Sequence, residues 1–369
     1  MQEIKKRRIV IASVLKPIDD TRMFEKIGSS LATFYKVDII GYPSTKTPTG
    51  TAIDFHTLPS FHRLSFQRLL ASARILFQTL KCRPDVFIIT THELLLTALV
   101  VKIFTSAKII YDVQENYRRN ILHTNAFPIV LRPVLACWVV AKEWFARLYV
   151  DHYLLAEEGY KRELVFPNGK FTVLENKFRK PEHTPVRTKS NDGVIRLLFS
   201  GTLNESTGVF TAIDLAEKLH AVSDAIRLMI IGYASQDEIL NRIKSSIAGK
   251  NFITLIGGDR LVPHREIIEA IAQSDFGVIS YPHNPATINS VPTKLYEYLG
   301  SKLPMLLIDH PVWTNLAAPY PAAVVFDPEN LDVSKIISIM SEEKFFINEP
   351  VDIFWEDDTI VETVDNLLG

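Results

Sequence analysis

Short apolar runs alternate with amphipathic stretches along most of this chain. In the first half, near-continuous apolar runs fall at 8–15, 37–41, 86–90, 108–111, 151–155 and 172–174. Between them, apolar positions recur at helical spacing over 22–35, 64–81, 93–104, 129–150 and 158–166. Apolar runs of about 4–8 residues read as strands, and a strand apolar on both sides needs cover on both faces. Strands alternating with amphipathic helices therefore predict a parallel sheet between two helical layers. A second series restarts at Val194–Leu203 and continues with helix 207–220, strand 227–231, helix 235–248, strand 252–256, helix 263–273 and strand 276–280. Residues 177–193 between the two series are polar, carry two prolines and read as a linker.

Composition narrows the class. The chain has 369 residues, enough for two ordinary domains. At 47% hydrophobic and 22% charged residues it is globular rather than disordered. A formal net charge of -1 gives no global reason to expect nucleic acid as a partner. The two cysteines, Cys82 and Cys137, make no disulfide framework or metal site and read as small core residues. No uninterrupted apolar stretch is long enough for a transmembrane helix. Lys5–Arg8 followed by Ile9–Leu15 superficially resembles a signal peptide. The apolar run is short and no small-residue cleavage site follows. It reads as the first strand, and the chain as cytoplasmic.

The richest stretch is Val291–Pro304, between the apolar runs Phe276–Tyr281 and Met305–Ile308. A helix between two short strands is the expected unit, with Leu295, Tyr298 and Leu299 on one face. Pro292 suits the first turn, where a missing N–H is harmless. Lys294 then lies near a helix N-terminus, which attracts anions, and Glu297 lies one turn further on. A cation, free amides and a carboxylate at this spacing can hold a phosphate and a polyol together; an ordinary surface Lys–Glu pair explains the same spacing. Gly201, Gly232 and Gly257 each follow a strand, where backbone approaches a ligand or simply turns. After the first strand comes Lys16–Arg22, in which Asp20 or Thr21 caps a helix or, with Arg22, faces a ligand beyond the strand ends. No Gly-x-Gly-x-x-Gly follows that strand, which disfavours a dinucleotide-binding enzyme.

The segment Pro292-Thr-Lys-Leu-Tyr-Glu-Tyr-Leu-Gly-Ser-Lys-Leu-Pro-Met-Leu306, with Phe199-Ser-Gly-Thr-Leu203, resembles bacterial GT-B glycosyltransferases of the large retaining group called family 4. The resemblance covers about residues 8–365. It implies two Rossmann-like α/β domains facing across a cleft: an acceptor domain at 1–176, a linker at 177–193 and a nucleotide-sugar-binding domain at 194–350. It also implies that 351–369 is a helix crossing back to the first domain, anchored by Trp355. The implied activity is metal-independent transfer of a hexosyl group from a nucleotide-sugar, such as a UDP- or GDP-sugar, to a glycan or lipid-linked acceptor. No separate cofactor is implied. By resemblance Glu297 binds the donor ribose. Lys294, Thr202 and the turns at Gly201 and Gly232 lie on the phosphate side, and Asn289 and Ser290 on the sugar or phosphate side. Asp20, Arg22, Gln114 and Glu115 supply acceptor and sugar contacts.

The chain departs from the family pattern at charged positions. Tyr111-Asp-Val-Gln-Glu-Asn-Tyr117 has Gln114 where the family carries a histidine, and glutamine does not titrate near neutral pH. The first of two family glutamates falls on Asn289. Thr202 and Thr207 stand where an arginine and a lysine are usual. A departing diphosphate needs its developing charge compensated. Either the chain uses its own arrangement, or it is a weakly active or inactive nucleotide-sugar-binding or scaffold protein.

Two helices bear on membranes. Residues 64–80 put Leu69, Leu70, Ala73, Leu76, Phe77 and Leu80 on one side, with Arg63, Arg68, Arg74, Lys81 and Arg83 around them. A buried face with a charged rim is the ordinary explanation, and a membrane-surface helix is the alternative. Ile129–Tyr149, with Trp138, Trp144, Phe145 and Tyr149, reads mainly as core. Peripheral contact with the inner face of the cytoplasmic membrane stays open.

Overall fold

The computed structural model describes residues 6–44, 47–61, 65, 67–123, 127–164, 169–181, 192–285, 288–342 and 344–369. Arg63, positions 64 and 66 of the expected second helix, 165–166 of the expected fifth, and 182–191 of the expected linker lie outside them. The chain forms two compact units, one of Met1–Asn176 with Trp355–Gly369 and one of Lys177–Phe354.

The first unit contains strands β1 (Arg8–Pro17), β2 (Lys36–Tyr42), β3 (Ile53–Thr57), β4 (Val86–Ile89), β5 (Lys108–Val113), β6 (His152–Leu155) and β7 (Phe171–Val173). They form one parallel sheet in the order β3-β2-β1-β4-β5-β6-β7. A π-helical segment, Thr21–Gly28, leads into α1 (Ser29–Ala32). Then come α2 (Gln67–Cys82), α3 (Leu95–Thr105), α4 (Tyr117–His123), α5 (Arg132–Ala146) and α6 (Tyr160–Glu163). Two clusters cover the sheet faces. One contains Val10, Ala12, Phe87, Ile89 and Ile109; the other contains Ile9, Ile11, Val37, Ile88 and Ile110. Successive strand residues thus feed opposite faces, which is why these strands read as continuous apolar runs.

The second unit contains β8 (Ile195–Thr202), β9 (Ile226–Tyr233), β10 (Ile253–Gly258), β11 (Phe276–Ile279), β12 (Met305–Ile308) and β13 (Ala323–Phe326), again all parallel, in the order β10-β9-β8-β11-β12-β13. Its helices are α7 (Val209–Val222), α8 (Asp237–Ile247), α9 (His264–Ala272), α10 (Thr293–Gly300), α11 (Pro311–Ala317) and α12 (Val333–Glu342). Strand order reverses between β1 and β4 in one unit and between β8 and β11 in the other. Doubly wound sheets open a crevice at such points, beyond the carboxyl ends of the strands.

The final helix, α13 (Asp357–Leu368), belongs to the first unit. Trp355 and Ile360 join its core, and the Trp355 indole donates to Ser30 Oγ at 3.0 Å. Phe178, placed by its polar surroundings in the linker, is instead buried in the second unit. Its N–H donates to Ile353 O at 2.9 Å. Strands β3 and β13 and helices α4, α11 and α12 were not read from the pattern. β3 is an edge strand with one fully buried residue, Ile53, so it shows no apolar run.

Two expectations about the core fail. Cys82 is buried, but Cys137 is exposed. The stretch 129–150 is not mainly core: α5 buries Ala136, Val139 and Ala146 and turns Trp138 and Trp144 outward. Apolar residues on more than one side of this helix concealed which side packs on α4 and α3.

Candidate functional site

In the second unit, the strand ends on both sides of the reversal carry the most unusual environment. Gly201 at the end of β8 pairs with Gly232 on β9, and Gly232 with Gly257 on β10, so the three turns are in register. Gly232 has φ 157°, and a Cβ there would lie 1.7 Å from Gly201 O, so no side chain fits. Gly201 has φ 99°, and its open side faces Lys294, whose Cε would lie 3.8 Å from a Cβ at that position.

Helix α10 brings Lys294 there. Pro292 caps it with extended backbone, and residues 294–299 are all buried, which fixes its rotation. Leu295, Tyr298 and Leu299 point into the core, and Tyr298 Oη meets Ser200 Oγ on β8 at 2.9 Å. The Lys294 ammonium lies 4.0 Å from the centroid of the Phe199 ring and 5.0 Å from that of Tyr281. It has no hydrogen-bond partner among the described residues. Burial pushes it down to about 7, against the upward pull of the nearby Glu297 carboxylate. A buried cation is costly unless it is paired and hydrogen-bonded. Ring faces supply part of that compensation, and an anion at this position would supply the remainder.

Glu297 is buried on the same helix, and its Oε1 lies 3.0 Å from His264 Nε2 at the start of α9. Lys294 and Glu297 are therefore not a surface pair. His264, Phe199 and Tyr281 were not singled out from the sequence. His264 lies 33 positions from Glu297, and only the packing of α9 beside α10 joins them. Asn289 is exposed in the loop before α10, and the Ser290 carbonyl accepts from Trp313 Nε1 at 2.7 Å. Thr202 is exposed at the end of β8, where its carbonyl accepts from Thr207 Oγ1 at 2.7 Å.

In the first unit the expected residues have structural duties. Asp20 caps the first helix by accepting from the N–H groups of Arg22 and Met23. Arg22 is 2% exposed and forms an ion pair with Asp112, at 2.6 Å between Nη2 and Oδ1. Its Nη1 donates to Leu174 O at 2.8 Å and to Asn176 Oδ1 at 2.9 Å. Gln114 donates through Nε2 to Asp112 Oδ2 at 2.6 Å and accepts from Lys16 Nζ. Glu115 is exposed and accepts from Asn120 Nδ2 at 2.8 Å. The loop residues expected to meet an acceptor thus knit β1, β5 and the end of β7 together.

A second polar cluster follows β4. Lys142 Nζ lies 2.9 Å from His92 Nδ1, and Arg68 pairs with Glu93. Tyr111 Oη donates to Glu143 Oε1 at 3.2 Å. Burial pushes the Glu143 carboxyl up to about 7, against that hydrogen bond and Lys142. These residues were missed because they come from four separate elements.

Among the described residues, one group has metal-ligand types: Asp38, His56 and Cys82, with ligand atoms within 4.8 Å of one another. The dismissal of both cysteines from any such group missed this convergence. His56 Nε2 lies 2.8 Å from Asp38 Oδ1, and Arg8 Nε lies 2.9 Å from Oδ2. The hydrogen bond to Asp38 raises His56 to about 9, so the carboxylate is already engaged by two cationic side chains.

No family model and no curated protein sequence matches the chain. Solved structures do. Sucrose-phosphate synthase from Thermosynechococcus elongatus superposes with a TM-score of 0.67 at 13% identity, over 99% of this chain and 95% of its own. HepE from Anabaena, solved with UDP and glucose, gives 0.65 at 12% identity over 98% and 99%. A glycosyltransferase from Rickettsia africae gives 0.58 at 16% identity over 98% and 94%. At these identities the likeness is one of fold: two parallel α/β units of the GT-B kind.

Proposed function

We propose that this chain is a glycosyltransferase that moves a sugar from a nucleotide-sugar to a hydroxyl group. The carrying observation is the buried Lys294 ammonium, without a hydrogen-bond partner among the described residues, beside the open side of Gly201 and the N-terminus of α10. Such a group suits a diphosphate. Glu297 suits the ribose: His264 orients one carboxylate oxygen, and the other accepts from a sugar hydroxyl. The glycine turns let backbone approach the ligand, and Thr202, Asn289 and Ser290 border it. The fold likeness and the resemblance of the α10 segment to family 4 point the same way.

In the reaction, the acceptor oxygen bonds to the anomeric carbon while that carbon parts from the phosphate oxygen. The nucleoside diphosphate leaves, and the acceptor proton goes to the departing phosphate or to water. Lys294, protonated against the diphosphate, compensates the charge developing on it. Retention of configuration, independence of metal, and a place in polysaccharide or lipid-linked glycan synthesis belong to this proposal. So does a peripheral site at the inner face of the cytoplasmic membrane. Acceptor recognition is assigned to the first unit, with exposed Glu115 and the groups around His92 and Glu143 as its available polar surface. Arg22 is left out of that role by its burial.

A thermal-shift panel of UDP-, GDP-, ADP- and dTDP-sugars tests the reading, since a ligand of the native state raises its apparent stability. A shift with one nucleotide class, lost in Lys294→Met, supports it; no shift at millimolar ligand overturns it. The engagement of Gln114 by Asp112 and Lys16 favours a second reading, a nucleotide-sugar binder without turnover. Donor binding with no transfer to any acceptor and no donor hydrolysis would select that one.

A further inference from the structure

We infer that the outward face of α5, with the loop before it, rests on an anionic lipid surface. Ile129, Val130, Val134, Trp138, Trp144 and Leu148 are each between 57% and 81% exposed. The four helical or helix-end positions among them lie within one side of α5, together with Cys137 and Ala141, opposite the buried Ala136, Val139 and Ala146. No acidic residue falls on that side. Helix α3 packs against α5, and Lys102 donates to Tyr149 O in the turn after α5 at 2.7 Å. Next to Lys102, Ile103 and Phe104 are also exposed. A contiguous apolar surface of this extent is not left to water without a partner.

Charge and shape identify the partner. From Tyr117 to Val150 the chain carries five basic residues, Arg118, Arg119, Arg132, Lys142 and Arg147, against one acidic residue, Glu143. The segment is therefore +4 in a chain whose formal net charge is -1. Tryptophans at the boundary of an apolar stripe with a cation at its edge, in a segment of net positive charge, are the chemistry of the lipid headgroup region. Lys142 Nζ stands 5.9 Å from the Trp138 ring centroid, so cation and indole share one edge. A helix of 15 residues falls short of the ~20 needed to span a bilayer, so it lies along the surface. Pairing of two copies through this face would bring like charges together, which argues against self-association. The amphipathic α2, the alternative raised by sequence, exposes only Leu70 and Phe77 among its large hydrophobic residues with described side chains.

Vesicle flotation of the full chain tests this without nucleotide or acceptor, so its failure and failure of the donor reading are separate results. Vesicles of phosphatidylcholine alone are compared with an equal mixture of phosphatidylcholine and phosphatidylglycerol. The chain should float with the mixed vesicles, bind phosphatidylcholine about tenfold less well, and be partly released by salt. The double variant Trp138→Ser/Trp144→Ser should lose binding by about tenfold or more at unchanged melting temperature, because both rings are exposed. Ile129→Asn/Val130→Asn is a second, loop-based variant with the same expectation. Failure of the unaltered chain to float overturns the inference, as does equal binding by both variants. A stable dimer that does not bind vesicles, and that Trp138→Ser/Trp144→Ser separates, also overturns it and assigns the face to self-association.

Discussion

The Lys294 ammonium stands 4.0 Å over the Phe199 ring, buried and without a hydrogen-bond partner among the described residues. Burial lowers it from 10.5 to about 7. A folded-state pKa below the unfolded one means that the unfolded chain binds more protons between the two values. Its contribution to stability is present above 10.5 and is lost as pH falls through about 7. The ligand-free chain should therefore lose more stability than Lys294→Met over that window. Parallel melting curves for the two proteins across the range check this; identical pH slopes would show that Lys294 stays charged.

Glu297 and His264 should separate in binding experiments. Glu297→Ala should weaken nucleotide-sugar binding roughly tenfold or more, as for a lost hydrogen bond to a charged group of ~1.5–3 kcal/mol. His264→Ala leaves the carboxylate present but unoriented, so a smaller loss is expected. Calorimetric titration of both variants reads the difference. Unchanged affinity in Glu297→Ala would remove Glu297 from the site.

Gly232→Ala should unfold or severely destabilise the second unit, because the new Cβ would lie 1.7 Å from Gly201 O. The clash is with backbone, so a loss beyond ~4 kcal/mol is expected. Solubility and melting temperature check it. A stable Gly232→Ala protein would mean that β8 and β9 can part at their ends.

Arg22→Met should lower stability by ~3–5 kcal/mol, since it strands Asp112 as an uncompensated buried charge. Denaturant unfolding reads the loss directly. A variant of full stability with weakened acceptor binding would return Arg22 to a role on the acceptor.

The class of fold and most of its framework are legible in the local pattern of the chain. Continuous apolar strands such as Ile9–Val14 can only be satisfied by burial on both faces, and that constraint is local enough to read. The same holds for α10: Pro292 at its start and Leu295, Tyr298 and Leu299 on one side set its place and rotation. Strand-end glycines at 201, 232 and 257 were legible for the same reason, since backbone chemistry is written at the position itself. Tertiary structure decided what each polar residue does. Arg22 and Asp112 lie 90 positions apart, and only the pairing of strands in one sheet turns two plausible ligand contacts into a buried ion pair. His264 reaches Glu297 because α9 packs beside α10. The exposure of Trp138 and Trp144 was also beyond the sequence: α5 carries apolar residues on more than one side, and periodicity cannot tell which of them packs on α4 and α3. Burial and partnership are set by distant chain segments, so they appear only when the chain is folded.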